Sequence, residues 1–188
     1  MITISESVKI TVFKYIRLVI AEKLRIKMDY SESDLDFSDS LFSGKYGAFV
    51  TLHIHGNLRG CIGYIQGIKT FRETIYDLAV AAAFRDPRFS ALSADEFDQI
   101  DIEVSVLSPV ETVQNFNDIT PGRDGLIISK GFSSGLLLPQ VAAERNWNRE
   151  TFLEHTCMKA GLAPGSWKDD GVKIEKFTAY VFSENEDS

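Results

Sequence analysis

Leu58-Arg59-Gly60-Cys61-Ile62-Gly63 places a cation and a thiol two residues apart, between glycines. This hexapeptide follows an alternating apolar stretch, residues 46–54, and the turn-like triplet His55-Gly56-Asn57. The pattern predicts a β-hairpin that returns along residues 58–64. Glycine weakens a strand unless a ligand or another backbone must come close. The hairpin is therefore predicted to be both a main element of a sheet and a candidate site.

Two registers of this hairpin compete. A two-residue turn would place Arg59 opposite Ile54, which mixes charge into the apolar face. A three-residue connection pairs Val50 with Ile62. It also sets Thr51 across from Cys61, and His53 across from Arg59. Opposite residues share a face, and a buried face fixes the register, so the second arrangement is favoured. It predicts one polar-aromatic surface made of Phe49, Thr51, His53, Arg59, Cys61 and Gly63.

The rest of the chain mixes helical and strand-like patterns. Apolar spacing predicts helices over residues 6–28, 71–84 and 149–160, with Ser5, Thr70 and Asn148 as N-caps. Alternation predicts strands over residues 101–107, 125–129, 135–138 and 172–182. Residues 29–45 predict an exposed acidic loop, and residues 184–188 a frayed tail. We expect an α+β fold, mainly an antiparallel sheet with flanking helices, in a single domain over residues 1–188.

Composition narrows the functional classes. The net charge of −7 over 188 residues argues against a nucleic-acid partner, which requires a basic face. Cys61 and Cys157 form no C-x-x-C pair, which is typical of a reducing compartment. No apolar stretch is long enough for a membrane span, and the first residues lack a basic leader. We expect a cytoplasmic protein without membrane contact.

Cys61 is the first candidate catalytic residue. A cation beside a thiol favours the nucleophilic thiolate. The alternative is that Cys61 is a small buried filler. Zinc is not favoured, because the adopted register puts His55 in the turn and no acidic fourth ligand is near in sequence. Neither a metal nor a cofactor is predicted.

A second cluster follows the helix predicted over residues 71–84. Asp86, Arg88 and Phe89 supply a carboxylate, a guanidinium and a ring that could bind a charged planar ligand. The alternative is an Asp86–Arg88 turn pair with Phe89 as a core plug. Glu103, on the polar face of the strand predicted over residues 101–107, is the second catalytic candidate, unless it is merely solvated.

One further motif resembles a catalytic signature. Residues 131–135 match G-x-S-x-G, the nucleophile-elbow pattern, but the residues that follow predict a strand where the elbow requires a helix. A Gly-Ser hairpin turn is the favoured interpretation.

With these motifs assembled, the chain resembles the AMMECR family, named for the AMME syndrome chromosomal region. The prokaryotic form is called AmmeMemoRadiSam system protein A. The likeness runs from about residue 41 to residue 182, and the hexapeptide matches the family signature in full. Further matching stretches follow in order at residues 47–52, 83–89, 102–107, 124–126, 137–141 and 159–162.

The resemblance implies an α+β fold with a larger and a smaller lobe around a cleft, and signature residues at or near that cleft. It also implies company with a Memo-type protein and a radical-SAM protein, while the family's own biochemical activity is unestablished.

Two functions follow as hypotheses. In an enzyme, Cys61 would be a nucleophile or thiol relay and Glu103 or Asp86 a proton shuttle, while Arg59 and Arg88 would clamp a small anionic or nucleotide-like substrate. In a binding or adaptor module, the same cleft would hold a ligand or a partner loop. The second is favoured slightly, because the sequence displays no complete triad, metal set or cofactor loop. The ligand-binding candidates are Arg59, Gly60, Gly63, Asp86, Arg88 and Phe89.

Overall fold

A computed structural model describes residues 3–185, which form two compact units. The larger unit contains the chain up to Leu107 and the segment from Tyr180 onward, and the smaller unit contains Ser108–Ala179. Each unit combines antiparallel strands with helices, so the predicted α+β class is confirmed. Within residues 3–185, no helix is long and apolar enough to cross a membrane.

The larger unit is built on three strands in the order β2-β1-β3. Its elements are α1 (Glu6–Leu24), α2 (Ser40–Ser43), β1 (Gly47–Ile54), β2 (Asn57–Tyr64), α3 (Phe71–Phe84) and β3 (Ile100–Leu107). Helix α1 ends before the predicted residue 28, because Arg25 adopts a left-handed conformation with φ of 60° and closes the helix.

The core of this unit lies between one face of the sheet and the helices α1 and α3. Ala48, Val50 and Leu52 of β1 are fully buried there, as the alternation predicts. Helix α3 begins at the predicted capping box. Thr70 accepts from the Glu73 amide, and the Glu73 carboxylate accepts from the Thr70 amide. The helices therefore cover the apolar face of the hairpin and do not cover its opposite face.

The predicted acidic loop over residues 29–45 is only partly exposed. It contains a 3-10 turn at Glu32–Asp34 and the short helix α2. Leu41 and Phe42 of that helix are buried in the core, and the Phe37 ring stacks edge-on against Phe42. The many serines and aspartates of this segment favoured the prediction of an exposed loop, although Leu41 and Phe42 are buried.

The smaller unit combines antiparallel strands with helices and has its own core. Its elements are β4 (Glu111–Thr112), β5 (Asp124–Lys130), β6 (Ser133–Leu137), α4 (Pro139–Glu144), α5 (Arg149–Lys159) and most of β7 (Lys173–Ser183). Strand β5 pairs with β6 and with β7, so residues 131–135 form the predicted hairpin turn and the start of β6, and no nucleophile elbow. Helix α4 was not predicted, since the apolar run before Pro139 suggested only a strand.

The carboxyl-terminal end of β7 returns to the larger unit. Glu184 binds Arg17 of α1 through two N–H···O contacts of 2.7 Å, and its amide donates to the Ile102 carbonyl. The predicted frayed tail over residues 184–188 therefore does not hold at Glu184, because an ion pair fixes its side chain. Residues 186–188 of that prediction lie outside the described residues.

Candidate functional site

The register of the hairpin is the predicted one over most of its length. Val50 lies opposite Ile62, and Thr51 opposite Cys61. Beyond Leu52 the register shifts by one, so that His53 pairs with Leu58. The predicted pairing of His53 with Arg59 is therefore wrong, because Arg59 is the extra residue of a β-bulge.

The bulge also changes the turn. Ile54 pairs with Asn57, which leaves a two-residue loop, His55-Gly56. Both loop residues have positive φ, 51° and 75°, as a type I′ turn requires. The two-residue turn that pattern reasoning rejected was at Gly56-Asn57, whereas the observed loop begins one residue earlier. The predicted three-residue connection is therefore wrong, and the bulge at Arg59 keeps the rest of β2 in the predicted register.

Arg59 is held against the segment that follows α3. Its Nε and Nη2 donate to the two carboxylate oxygens of Glu96, at 2.8 and 3.1 Å. Nη1 and Nη2 also donate to the carbonyls of Ser90 and Ala91. The side chain is only 12% exposed, and every guanidinium nitrogen has an acceptor within the chain. Arg59 thus anchors residues 90–96 to the bulge.

Glu96 is the functional partner that the sequence analysis missed. The hydrogen bond from Arg59 lowers the pKa of Glu96 to about 2, and the Ser93 amide contributes to the shift. The pattern Ser93-x-x-Glu96 predicts a cap, and a capping box is present at the 3-10 helix Ala94–Gln99. The sequence pattern carried no sign of the second role, because Arg59 lies 37 residues earlier.

The Asp86–Arg88 pair holds the outer edge of β2 at Cys61. The Asp86 carboxylate accepts from the Cys61 amide at 2.9 Å, and Arg88 Nη2 donates to the Cys61 carbonyl at 3.1 Å. Arg88 also donates from Nε and Nη2 to Asp86. The Asp86 side chain is 2% exposed, and these donors, Arg88 first, hold the pKa of Asp86 well below its usual range. Asp86 is therefore a permanently charged anchor.

Gly60 and Gly63 are required by close approach. A Cβ on Gly60 would lie 2.1 Å from the Ala82 carbonyl oxygen of α3, and a Cβ on Gly63 would lie 2.1 Å from the Phe49 ring. Both glycines thus have packing roles in the described structure. Phe89, half-buried, lies 5.5 Å from the Arg88 guanidinium, in the range of a cation–π contact.

Side chains of three neighbouring strands share the sheet face turned away from α1 and α3, and we call this set the polar face. Thr51 has Cys61 on one side and Glu103 on the other, so a thiol, a hydroxyl and a carboxylate form one row across the sheet. The face is unevenly buried: Leu58 is 41% exposed, whereas Thr51 is 8% and Ser105 3% exposed. The polar face comprises Phe49, Thr51 and His53 of β1, Leu58, Cys61 and Gly63 of β2, and Asp101, Glu103 and Ser105 of β3.

The Cys61 thiol is partly exposed and has two polar neighbours. The Thr51 hydroxyl donates to Cys61 Sγ at 3.3 Å. The pKa of Arg88 is raised, mainly by its hydrogen bond with Asp86 and to a lesser degree by the Cys61 thiol beside it. The cation that contacts Cys61 is therefore Arg88, whose Nη2 donates to the Cys61 carbonyl, where the sequence had suggested Arg59.

Within the described residues, the options for metal binding, for a base at the thiol and for the second cysteine are limited. Between residues 3 and 185, no three His, Cys, Asp or Glu side chains converge so as to hold a metal ion. Thr51 cannot take a proton from the thiol at ordinary pH, so the contact seen at Cys61 does not supply a general base. Cys157, the second cysteine, is fully buried in the core of the smaller unit.

The AMMECR1 family model matches residues 13–182, almost the whole chain. The chain belongs to this family. A Methanothermobacter thermautotrophicus protein is 42% identical over 181 residues, 93% of either chain. A Methanocaldococcus jannaschii protein is also 42% identical, over 92% of this chain and 88% of its own length. The crystal structure of an uncharacterized Pyrococcus horikoshii protein has a TM-score of 0.79 at 38% identity, covering 93% of this chain and 90% of that one.

In this AMMECR1 protein, contacts within the chain account for much of the hexapeptide. Arg59 is ion-paired to Glu96, and Gly60 packs closely against the backbone of α3. The backbone of Cys61 is hydrogen-bonded to Asp86 and Arg88. What these contacts leave available to a ligand is the Cys61 thiol and the exposed part of Arg88.

Proposed function

We propose that this AMMECR1 protein is a binding module whose ligand contacts the polar face at the Thr51–Cys61 row. One observation supports this above the others. The strand that carries Cys61 is fixed on its outer edge by Asp86 and Arg88, while the thiol itself remains partly exposed. Such rigidity lowers the ordering cost of binding, because the site is already in place before the ligand arrives.

The charges of the neighbouring residues support binding more than catalysis. The donors of Arg59 are used within the chain, so it does not supply the second arm of an anion clamp. The Thr51 hydroxyl, which donates to Cys61, gives the thiol no base. A catalytic thiol needs a base within hydrogen-bond reach or a strongly electropositive setting.

A ligand screen tests the proposal. Wild type, Cys61→Ala and Ile10→Ala would be melted against a panel of metabolites and nucleotides. Ile10 is a matched control because it is 53% exposed and belongs to α1, on the other side of the sheet. A ligand present at a hundred times its dissociation constant should raise Tm by roughly 5–10 °C.

We expect that rise in wild type and Ile10→Ala, and a smaller one in Cys61→Ala. A panel that leaves the wild-type Tm unchanged throughout, or stabilises Cys61→Ala as strongly as wild type, would contradict a ligand site at this row.

We also propose that the module works with a Memo-type protein and a radical-SAM protein, as the family resemblance implies. Reduced wild-type protein mixed with each companion should elute as a complex in size-exclusion chromatography, and Cys61→Ala should weaken it. Separate elution of all three wild-type proteins at concentrations of tens of micromolar would remove this part of the proposal.

An enzymatic function is the second candidate, and one observation favours it: Arg88 Nη2 donates to the Cys61 carbonyl at 3.1 Å, which brings a cation to the residue that carries the thiol. A neighbouring cation stabilises a thiolate. Cys61 would then act as nucleophile and Glu103 as proton shuttle, since Asp86 stays ionised in its pair with Arg88. Cys61 should then be alkylated faster than a model thiol when the two rates are compared over a range of pH. Equal rates at every pH, with function retained in Cys61→Ser, would rule out this candidate.

A further inference from the structure

Arg59 and Arg88 differ in what they can offer a ligand. Arg59 is 12% exposed and donates from all three guanidinium nitrogens to Glu96, Ser90 and Ala91. The Arg88 side chain is 54% exposed. Its Nε and Nη2 are used by Asp86 and the Cys61 carbonyl, and Nη1 makes no hydrogen bond to any residue in the described part of the chain.

The donors of Arg88 Nη1 are also aimed from a fixed position. Asp86 holds the other two nitrogens, and the Phe89 ring lies 5.5 Å from the guanidinium carbon. A planar guanidinium held at two of its nitrogens keeps the third in a defined direction. Because Nη2 of the same group donates to the Cys61 carbonyl at 3.1 Å, an acceptor bound at Nη1 would lie close to the residue that carries the thiol.

The charge balance limits the class of acceptor. Asp86 stays ionised, and its negative charge balances the positive charge of Arg88, so the pair as a whole is neutral. A neutral pair with two spare N–H donors suits one singly charged oxygen, bound end-on. It suits a phosphate dianion less well, because such a group needs a surplus of positive charge or a forked contact.

We propose that Arg88 Nη1 receives a carboxylate of the ligand and thereby places the ligand's neighbouring atoms against the Cys61 sulfur. This inference rests on the proposed function, since it specifies the ligand class of the same site. It assigns the contact to Arg88 alone and removes Arg59 from the ligand's immediate surroundings.

Paired alkylating reagents test this directly. Iodoacetate carries a carboxylate, and iodoacetamide is its neutral counterpart. With either one, Cys61 Sγ forms a bond to the methylene carbon, iodide leaves, and the thiol proton passes to solvent. Both reagents react with the same thiolate, so the ratio of their rates does not depend on how much thiol is ionised. Cys157 is fully buried, and mass spectrometry of the peptides separates it from Cys61.

We expect the iodoacetate-to-iodoacetamide ratio at Cys61 to exceed that of glutathione by roughly tenfold, as one charge-assisted contact would give. In Arg88→Gln the ratio should fall to the glutathione value. Arg72→Gln is the matched control, because its side chain is 43% exposed and ion-paired to Glu32. Arg72 lies in the first turn of α3 and Arg88 beyond its last, roughly 20 Å apart along the helix.

Arg88→Gln leaves the buried Asp86 without its partner and is expected to be less stable. Two further measurements therefore test the inference without that variant. Arg88→Lys keeps the charge but lacks the forked donors, and should also lose the preference. In wild type, acetate should slow alkylation by iodoacetate more than acetamide or chloride does at the same concentration.

A wild-type ratio no higher than that of glutathione, a ratio unchanged in both Arg88 variants, or a Cys61 that neither reagent reaches would overturn the inference. These results stand apart from the ligand screen. If a ligand raises the Tm but Cys61 shows no preference for iodoacetate, only the assignment of the carboxylate contact to Arg88 is overturned. If Cys61 prefers iodoacetate but no compound of the panel raises the Tm, the proposed function fails and the carboxylate contact of Arg88 stands.

Discussion

Gly60 lies where the backbone of α3 touches β2. A Cβ at this position would come within 2.1 Å of the Ala82 carbonyl oxygen, and neither backbone can move away cheaply. Gly60→Ala should therefore lower the free energy of unfolding by about 3 kcal/mol, at the upper end of the cost of overpacking. Urea denaturation measures the loss. The amide signals of α3 around Ala82 should shift as well.

Gly131→Ala is the comparison for this change. Gly131 has a positive φ of 59° and no atom within 4 Å of the added Cβ, so that variant bears only backbone strain, about 1–2 kcal/mol. A Gly60→Ala protein as stable as wild type would mean that β2 and α3 are not packed as described.

The Arg59–Glu96 pair has a defined pH dependence. The folded-state pKa of Glu96, about 2, lies below its usual value of 4.5, so the pair's stabilisation is complete above pH 4.5 and is lost as the pH falls toward 2. Glu96→Gln should cost about 2 kcal/mol at pH 7. Its difference from wild type should shrink through that acidic window.

Chemical denaturation at several pH values makes the measurement. Glu6→Gln is the control, because Glu6 is 74% exposed and its pair with Lys9 is a solvent-screened surface pair that contributes little to stability. A Glu96→Gln penalty of the same size at pH 7 and pH 3 would contradict an ionic role for Glu96.

Among the elements, the hairpin turn has a histidine at its first position, where type I′ turns most often have asparagine or aspartate. His55 adopts a φ of 51°, a region that asparagine and glycine occupy more readily. His55→Asn should therefore raise the free energy of unfolding by about 0.5 kcal/mol. His53→Asn is the matched control, since it puts asparagine within β1, where it is disfavoured. Equal effects at the two positions would argue against the turn.

Elements whose signals are local could be predicted from the sequence. The capping box at Thr70 and Glu73 sets the start of α3, and Asn148 caps α5 through the Thr151 amide. The bulge at Arg59 could not be predicted, because an extra residue leaves no mark on a period of two. Helix α4 was missed because it spans only six residues, too few to show a helical period.

At the scale of the whole molecule, the described chain has two separate apolar cores. Phe71 is fully buried in the core of the larger unit and Phe152 in that of the smaller unit. Replacing either ring by alanine should cost about 3–5 kcal/mol. Hydrogen exchange should locate the effect: Phe152→Ala should speed exchange mainly within residues 108–179, and Phe71→Ala mainly in α3 and β1.

The two variants serve as controls for each other. Exchange that rises uniformly over the whole chain in both would mean that the cores open together and do not act as separate units.

Contacts between distant parts of the chain limited the prediction of the site. The sequence indicated that Arg59, Cys61, Asp86 and Arg88 belong to a site, but their partners are set by the fold. Arg88 reaches Cys61 across 27 residues, and Arg59 reaches Glu96 across 37. The roles of the two arginines could not be separated until those distances were known.

The position of β2 at the margin of its sheet has a consequence for crowded solutions. An open strand margin invites a neighbouring molecule to add a strand of its own, which is a common beginning of aggregation. In this chain the outward amide and carbonyl of Cys61 are already taken by Asp86 and Arg88. A second molecule therefore finds no free amide or carbonyl at Cys61, so the Asp86–Arg88 pair also interrupts the row of backbone groups that an added strand would need.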